Sequence, residues 1–590
     1  MYQENENSEL MAKRHSLSHL LAASVHELYP EAQFAIGPAI DNGFYYDIDF
    51  GELKISENDL KTIEKKMAFL AKQNLKFERR EEEIDSALKT AKASKEIYKT
   101  ELIADLKKEG EKIVSFYKIG GFEDLCKGPH IENTNKIKAG SFKLNKLAGA
   151  YWRGDEKNKM LTRIYGLAFE DKEELTAYLN MIAEAEKRDH RKLGKELDLF
   201  CFSDLVGAGL PLYTPKGMAV IDALRNNIES ICRGYGFEKV MTPHLAKIDL
   251  YEISGHAKKF NDELFRVSSL KGHDFVIKPV QCPHQTQIYA SRPRSYRDLP
   301  IRYMESEKQY RAEKTGEVGG LSRVYAITVE DGHTFCTLDQ VKDELKNMVN
   351  IVKDFYSSLG LWGKHWVSLS VRDYSNPDKY IGESADWDLC EAMLQEISDE
   401  MGLEAKRQEG EAALYGPKLD FMFRDSIGKE IQIPTVQVDF ATPKRFNLSY
   451  TDKSGQEKPP VMVHRAILGS YERFLALMIE HFAGAFPLWL APIQIKLLSV
   501  SENHIEACKK ISAQFKAEDF RVEVDEANET LGNKIRKATG EKIPYVLVIG
   551  DKEAGGKILS VRDRGAKEGR EISLVDFIKE VKEKIEEKVI

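Results

Sequence analysis

Long apolar runs are missing from this chain. No stretch approaches the roughly 18 residues needed to cross a bilayer, and the N-terminal MYQENENSEL is polar and acidic, without the apolar segment of an export signal. A strong charge of one sign is missing too. With 87 Lys and Arg against 95 Asp and Glu, the net charge of −8 gives no general attraction to polyanions, so any nucleic-acid contact must come from local patches. Cysteine is sparse: 7 among 590 residues, odd in number and scattered from Cys126 to Cys508. That excludes a tight disulfide framework and points to a reducing compartment, with thiols buried or metal-bound. There is no internal repeat and no low-complexity tract. What remains is a cytoplasmic chain with no membrane role and ordinary globular composition, 42% hydrophobic and 31% charged. At this length it predicts several domains, because single cores stop growing at roughly 250–300 residues.

Residues 1–170 read as a first unit. Leu17, Leu20, Leu21, Val25 and Leu28 recur at helical spacing and predict a helix from Met11 to Tyr29, stopped by Pro30. His15 and His19 are four apart and share a face of it. IGPAIDNGFYYDID carries a hairpin signal, and Ser56 to Glu82 reads as a charged helix. Cys126 and His130 then fall on the Gly-Pro loop of GFEDLCKGPHIENT. Two His on one helix face plus Cys-x3-His is a metal-ligand inventory. The residues alone leave a metal site and a metal-free polar pocket equally open.

Residues 171–192 predict a polar linker helix with a thin apolar stripe. Residues 193–490 predict a large mixed α/β domain with strands FVIKPV, IQIPTVQVDF and VMVHRAIL. Residues 491–590 alternate strand and helix (IQIKLLSV, RVEVD, YVLVIGD, then a Lys/Glu-rich helix), predicting a small α/β domain with a mainly parallel sheet.

The most informative stretch is Leu299 to Cys336. Ile301 to Tyr310 reads as one strand, Gly316, Gly319 and Gly320 permit a reversal, and Val324 to Val329 returns. Arg311, Glu313, Arg323, Asp331 and His333 then decorate a single hairpin. Arg can grip phosphate bidentately, Glu can accept from an exocyclic amine and His can ligate metal. Cys282 in KPVQCPH, His333 in EDGHTF and His464 in VMVHRAILGS each stand beside a strand of this domain. One thiolate and two imidazoles suit zinc with a fourth position open. The alternative is that Cys282 is a small buried hydrophobe. GSYERFLALMIEHFAG predicts a helix with Arg473 near its start, where anions are favoured.

Arg311-x-Glu313 on a hairpin, the strand and helix carrying Arg473, and Pro243 in GYGFEKVMTPHL resemble the signature motifs of class II aminoacyl-tRNA synthetases. The strings RHSLSHLLAASVHELYP, AIGPAIDNGFYYDID, DLCKGPH, GAYWRGD, RDHRKLGKELDLF, SYRDLP, LYGPK, TVQVDF, HRAILGSYERF and GDKE look like the threonyl-tRNA synthetase family, in family order over nearly the whole chain. The N-terminal ubiquitin-like domain of many members is not matched. The resemblance implies an antiparallel-sheet class II catalytic domain, an N-terminal α+β editing domain and a C-terminal α/β anticodon-binding domain.

It also implies roles, position by position. Cys282, His333 and His464 match the zinc ligands, whose open position takes the amino group and hydroxyl of L-threonine. Asp331 matches the acceptor for that hydroxyl. Arg311 matches the bridge between the ATP α-phosphate and the substrate carboxylate, Glu313 the adenine-amine acceptor and Arg473 the γ-phosphate contact. Tyr415, Lys418, Gln432, Gln437 and Arg323 match substrate-pocket positions, and Mg²⁺ accompanies ATP. His15, His19, Lys99, Asp124, Cys126 and His130 match the site hydrolysing Ser-tRNA(Thr), with no metal generally expected there. Asn528, Arg536, Glu553 and Arg562 match anticodon contacts, and the family implies a homodimer.

The chain also departs from the family pattern. Ala326-Ile327 stands for the common Gly-Phe, whose ring stacks on adenine, Val329 for a usual glutamine, and Gln285 for the usual His after His284. These departures motivate a rival reading, a synthetase-derived RNA-binding regulator that no longer activates an amino acid. The retained Cys282, His333, His464, Arg311 and Arg473 oppose it. Threonine-dependent ATP–pyrophosphate exchange discriminates the two.

Overall fold

The computed structural model describes residues 2–314, 316–425, 428 and 430–590, the side chains of residues 2–8 excepted. The chain forms two compact units, one ending at Ala183 and the other beginning at Glu184.

The first unit is built on the helix Tyr2–Leu28, which starts earlier than the apolar spacing predicts and ends two residues before Pro30. Leu17, Leu20, Leu21 and Val25 are buried against Phe44, Tyr46 and Ile48 of strand Gly43–Asp49. That strand lies between Gln33–Phe34 and Met160–Ala168, with Phe142–Tyr151 beyond, and Ala39–Ile40 pairs back on it as the predicted hairpin. The charged stretch 56–82 is not one helix. Helix Glu57–Ala71 stops, Asn74 turns with φ 56°, and Glu78–Glu83 becomes a strand against Ile113–Ile119. Pairing with a neighbouring strand overrides the helical preference of ERREEE, as tertiary context often does. The linker region likewise splits: helices Lys172–Arg188 and His190–Glu196 flank Asp189, whose side chain caps the second by accepting from Arg191 N–H.

The second unit is dominated by an eight-stranded sheet. Its order is Glu238–Lys239, Ile301–Tyr310, Ala326–Cys336, Val461–Ser470, Glu430–Asp439, Lys418–Arg424, Trp366–Val371 and Lys406–Glu409. Only its two outermost pairings are parallel. Helix Val341–Ser357 buries Leu345, Met348, Val352 and Phe355 in the same core as Val436, Val438, Val463 and Ile467 from the central strands. The returning hairpin strand starts at Ala326, later than predicted, but runs on through Asp331 and His333 to Cys336. FVIKPV does not join this sheet: Asp274–Ile277 belongs to a separate three-stranded one.

The last segment has a five-stranded sheet ordered Val522–Asp525, Ile495–Ser499, Tyr545–Ile549, Ile558–Asp563 and Arg570–Ser573. Its first two pairings are parallel and its last two antiparallel, so it is mixed where a mainly parallel sheet is expected. Leu559 and Val561 of the first of these antiparallel strands are buried in the core of this sheet, and Arg570–Ser573 is short and polar.

Candidate functional site

Strands Ala326–Cys336 and Val461–Ser470 are antiparallel neighbours whose register sets His333 directly opposite His464. The rings meet edge-on, centroids 4.7 Å apart at 83°. Cys282 is the first residue of helix Cys282–Ala290, with Pro283 in its first turn. The Cys282, His333 and His464 ligand atoms lie within 4.8 Å of one another and all three residues are buried. His333 Nδ1 lies 2.8 Å from Gln285 Oε1, and its Nε2 is buried with no hydrogen-bond partner. His464 Nε2 lies 3.0 Å from Asp439 Oδ2, which leaves Nδ1 as its ligating nitrogen. A buried imidazole nitrogen without a partner is costly, and a metal would satisfy it. The donor set and its burial therefore fit a zinc ion with one open position. Burial pushes the Cys282 thiol well up and the His333 imidazole well down.

Asp331 shares the strand face of His333, its Oδ2 3.8 Å from His333 Nε2. Burial pushes its carboxyl up to about 7. Tyr415 stacks on His464, centroids 4.8 Å apart at 21°. Gln437 is paired with His464 across the next strand, and its Oε1 is buried and unpartnered. Lys418 is opposite Gln437 in turn, its ammonium 2.6 Å from Asp420 Oδ2. Gln432 Nε2 donates to Asp420 Oδ1 at 2.6 Å. Arg311 continues the hairpin ladder, its N–H donating to Tyr325 O at 2.9 Å, and its charge is felt by Tyr415 and His256.

Further along the same face the groups pair with each other. Arg323 holds Glu313 at 2.7 Å and Glu317 at 2.8 Å. Arg473 stands in the first turn of helix Tyr471–His481, capped by Ser470 Oγ, and burial and the like charge of Arg323 both disfavour its own charge. Ile327 and Val329 are half-buried on the hairpin, and the ladder bulges just after Val329. On the opposite face of the sheet, Arg465 donates to Glu330 at 2.6 Å, and both are fully buried. A Cβ on Gly332 would sit 2.7 Å from that guanidinium, so any larger residue there would displace Arg465 from its buried position.

The first unit gathers its own cluster. His15, His19, Cys126 and His130 bring ligand atoms within 4.8 Å of one another. Cys126 Sγ lies 3.3 Å from His15 Nε2 and 3.2 Å from His130 Nε2. His15 stacks on His130 at 4.3 Å, and Ser16 Oγ lies 3.0 Å from His130 Nδ1. Lys99 and Asp124 form a buried ion pair, and Tyr46 OH donates to the same carboxylate. Lys99 also donates to Ala35 O at 2.8 Å. Gly128 turns the loop at φ 74°, and a Cβ there would strike the Tyr117 hydroxyl at 2.6 Å. Burial lowers all three imidazoles and raises the Cys126 thiol to about 11. The pocket is thus a neutral imidazole and thiol cluster near one ammonium.

Three family models match the chain. Residues 265–482 match the tRNA synthetase class II core domain (G, H, P, S and T), residues 490–584 the anticodon binding domain, and residues 114–165 the threonyl and alanyl tRNA synthetase second additional domain. A threonine–tRNA ligase of Cytophaga hutchinsonii is 45% identical over 566 residues, 96% of this chain and 87% of the relative. This chain belongs to the threonine–tRNA ligase family. It is a class II aminoacyl-tRNA synthetase. The threonine–tRNA ligase of Gloeobacter violaceus is likewise 45% identical, over 95% of this chain and 90% of the relative. Among solved structures, the threonyl-tRNA synthetase RNA binding domain from Cryptosporidium parvum aligns with TM-score 0.63 and 32% identity, over 67% of this chain and 98% of that one. A putative threonyl-tRNA synthetase from Aeropyrum pernix aligns with TM-score 0.60 and 28% identity, over 68% and 96%.

Within the synthetase's anticodon binding domain, Asn528 and Glu553 follow the C-terminal ends of two parallel-aligned strands, Val522–Asp525 and Tyr545–Ile549. Glu553 Oε2 accepts from Gly550 N–H at 3.0 Å. Arg536 lies on helix Leu531–Gly540 and donates to Asn533 at 2.7 Å. Arg562 pairs with Val546, toward the other end of the sheet, with its Nε on Ala566 O at 3.0 Å. No hydrogen bond or ion pair among the described residues joins one of the four to another. Sequence reasoning missed the buried supports of the core site: Asp439, Glu305, Lys278, Gln281 and the Glu330–Arg465 pair. Each is a lone polar residue inside a strand or turn, and only its partner from a distant segment shows that it is buried and paired. No helix among the described residues is long and apolar enough to cross a membrane.

Proposed function

We propose that this synthetase activates L-threonine with ATP, transfers it to the 3′ end of tRNA(Thr), and hydrolyses Ser-tRNA(Thr) formed in error. The observation that carries the reading is the buried Cys282–His333–His464 set with His333 Nε2 unpartnered, beside Asp331. Zinc held by these three side chains would supply coordination open to a hydroxyl and an amino group; valine lacks the hydroxyl, and an apolar pocket separates such near-isosteres only by about 10²-fold.

The protein groups do the rest. Asp331 accepts from the substrate hydroxyl. The free Gln437 Oε1, with Tyr415, Lys418 and Gln432, lines the threonine pocket. Arg311 grips the α-phosphate and the carboxylate together, stabilising the charge that develops as the adenylate forms. Glu313 trades one of its bonds to Arg323 for the adenine amine. Arg473 takes the γ-phosphate at the far end, with Mg²⁺ shielding the polyphosphate. Serine satisfies the same ligand demand, so a second sieve is needed. His15, His19, Cys126 and His130 with Lys99 and Asp124 form it, orienting the ester and a water. Asn528, Arg536, Glu553 and Arg562 read the anticodon. We assign editing to residues 1–170, a linker to 171–192, catalysis to 193–490 and anticodon binding to 491–590, in a cytoplasmic homodimer.

The test is ATP–pyrophosphate exchange by protein of known zinc content. Exchange with threonine and serine but not valine is expected. Tight tRNA binding with no exchange by zinc-loaded protein would instead establish the regulator reading that Ile327 and Val329 motivate.

A further inference from the structure

Gln285 stands one turn into the helix that Cys282 begins, and it is fully buried. Its side chain bridges two partners. Nε2 donates to Glu305 Oε2 at 3.2 Å, and Oε1 lies 2.8 Å from His333 Nδ1. Glu305 is itself fixed from several sides. Its Oε1 accepts from Thr242 N–H at 2.6 Å and from the Thr242 hydroxyl at 2.9 Å, and the Lys278 ammonium stands 3.5 Å away. A carboxylate so surrounded accepts, so the Gln285 amide must turn its NH₂ toward Glu305 and its oxygen toward His333. An amide oxygen has no proton to give. The hydrogen on the His333–Gln285 bond therefore belongs to His333 Nδ1, and Nε2 is left as the bare lone pair. That Nε2 is the buried atom with no partner, and it is the His333 nitrogen left to join Cys282 and His464 as a ligand.

We propose that Gln285 is a positioning residue for the metal centre, fixing the tautomer and ring orientation of His333 through the chain Thr242/Lys278–Glu305–Gln285–His333. The inference rests on the zinc reading above. It assigns a purpose to a residue that departs from the family's usual histidine. A histidine at 285 could serve the same two partners, donating from one nitrogen to Glu305 and accepting from His333 with the other. An aliphatic side chain could serve neither.

The experiment measures zinc affinity by chelator competition on the full-length protein, wild type beside Gln285→Met and Gln285→His, with thermal melts of each. Loss of a hydrogen-bond partner to a ligating histidine typically lowers metal affinity about 10–100-fold. Gln285→Met is expected to show that loss, and Gln285→His to recover most of it. A purely structural role would lower the melting temperature of Gln285→Met and leave its zinc affinity at the wild-type value, which overturns the inference. Wild type that binds no zinc fails differently, because it removes the zinc reading itself. Should Gln285→Met not fold, ¹⁵N-histidine spectra of the zinc-loaded wild type decide: a proton on His333 Nδ1 supports the proposal, and one on Nε2 rejects it.

Discussion

His333 and His464 are opposed across one rung of an antiparallel ladder, and that rung supplies two of the three side chains of the proposed zinc site. Two imidazoles 131 positions apart in the chain become neighbours solely because strands Ala326–Cys336 and Val461–Ser470 pair in this register. A slip of one residue in either strand would turn its histidine to the other face. Cys282 completes the set from a helix start, so the site joins three separate segments.

Removing the thiolate should empty this site. Cys282→Ser is expected to drop zinc from about one per chain to a small fraction, because a neutral serine hydroxyl is a far weaker zinc ligand than a thiolate. Threonine-dependent exchange should fall with it. Elemental analysis after dialysis checks the first, and unchanged zinc content would sink the ligand assignment.

Zinc affinity should rise with pH. The thiol is held well above its ordinary range and the His333 imidazole well below its own. Below the thiol's folded pKa, binding releases one proton, from Cys282, while His333 is already neutral. Affinity should therefore climb about tenfold per pH unit. Chelator competition at about pH 6 and about pH 8 measures it, and a flat profile contradicts a protonated Cys282 in the free site.

The first-unit cluster should be separable from activation. His15→Ala removes the imidazole whose Nε2 lies 3.3 Å from Cys126 Sγ. Positioned proton-transfer groups contribute about 10²–10⁴-fold, so Ser-tRNA(Thr) deacylation should slow by that order while threonine activation holds. Deacylation at the wild-type rate would remove this residue from the editing site.

The Glu330–Arg465 pair predicts an asymmetric stability result. Glu330→Leu strands a fully buried guanidinium and should cost about 3–5 kcal/mol, whereas replacing both partners with apolar side chains should cost far less. Urea midpoints of the Glu330→Leu protein and of the Glu330→Leu, Arg465→Met protein give the comparison. Equal losses would show that the pair is not the source of the penalty.

Much was legible in the sequence because it is local. Helix Tyr471–His481, the 301–336 hairpin and the alternating C-terminal elements announce themselves by periodicity and turn residues, which depend on neighbours a few positions apart. The chemistry-bearing residues were legible through motif strings, again local. Failures fell where a partner decided the outcome: Glu78–Glu83 is helical by composition and a strand by pairing, and the antiparallel direction of Ile558–Asp563 and Arg570–Ser573 is set by the strands they pair with.

The sequence by itself determined which side chains are available, the elements that carry them, and membership of a family. Only the tertiary structure decided that Cys282, His333 and His464 converge, that Gln285 and Asp439 hold the imidazoles, and that Glu330 and Arg465 pair behind them. The reason is physical. A side chain's chemistry is set by its own atoms, but its burial, protonation and orientation are set by groups distant in the chain, brought within a few ångströms by strand register.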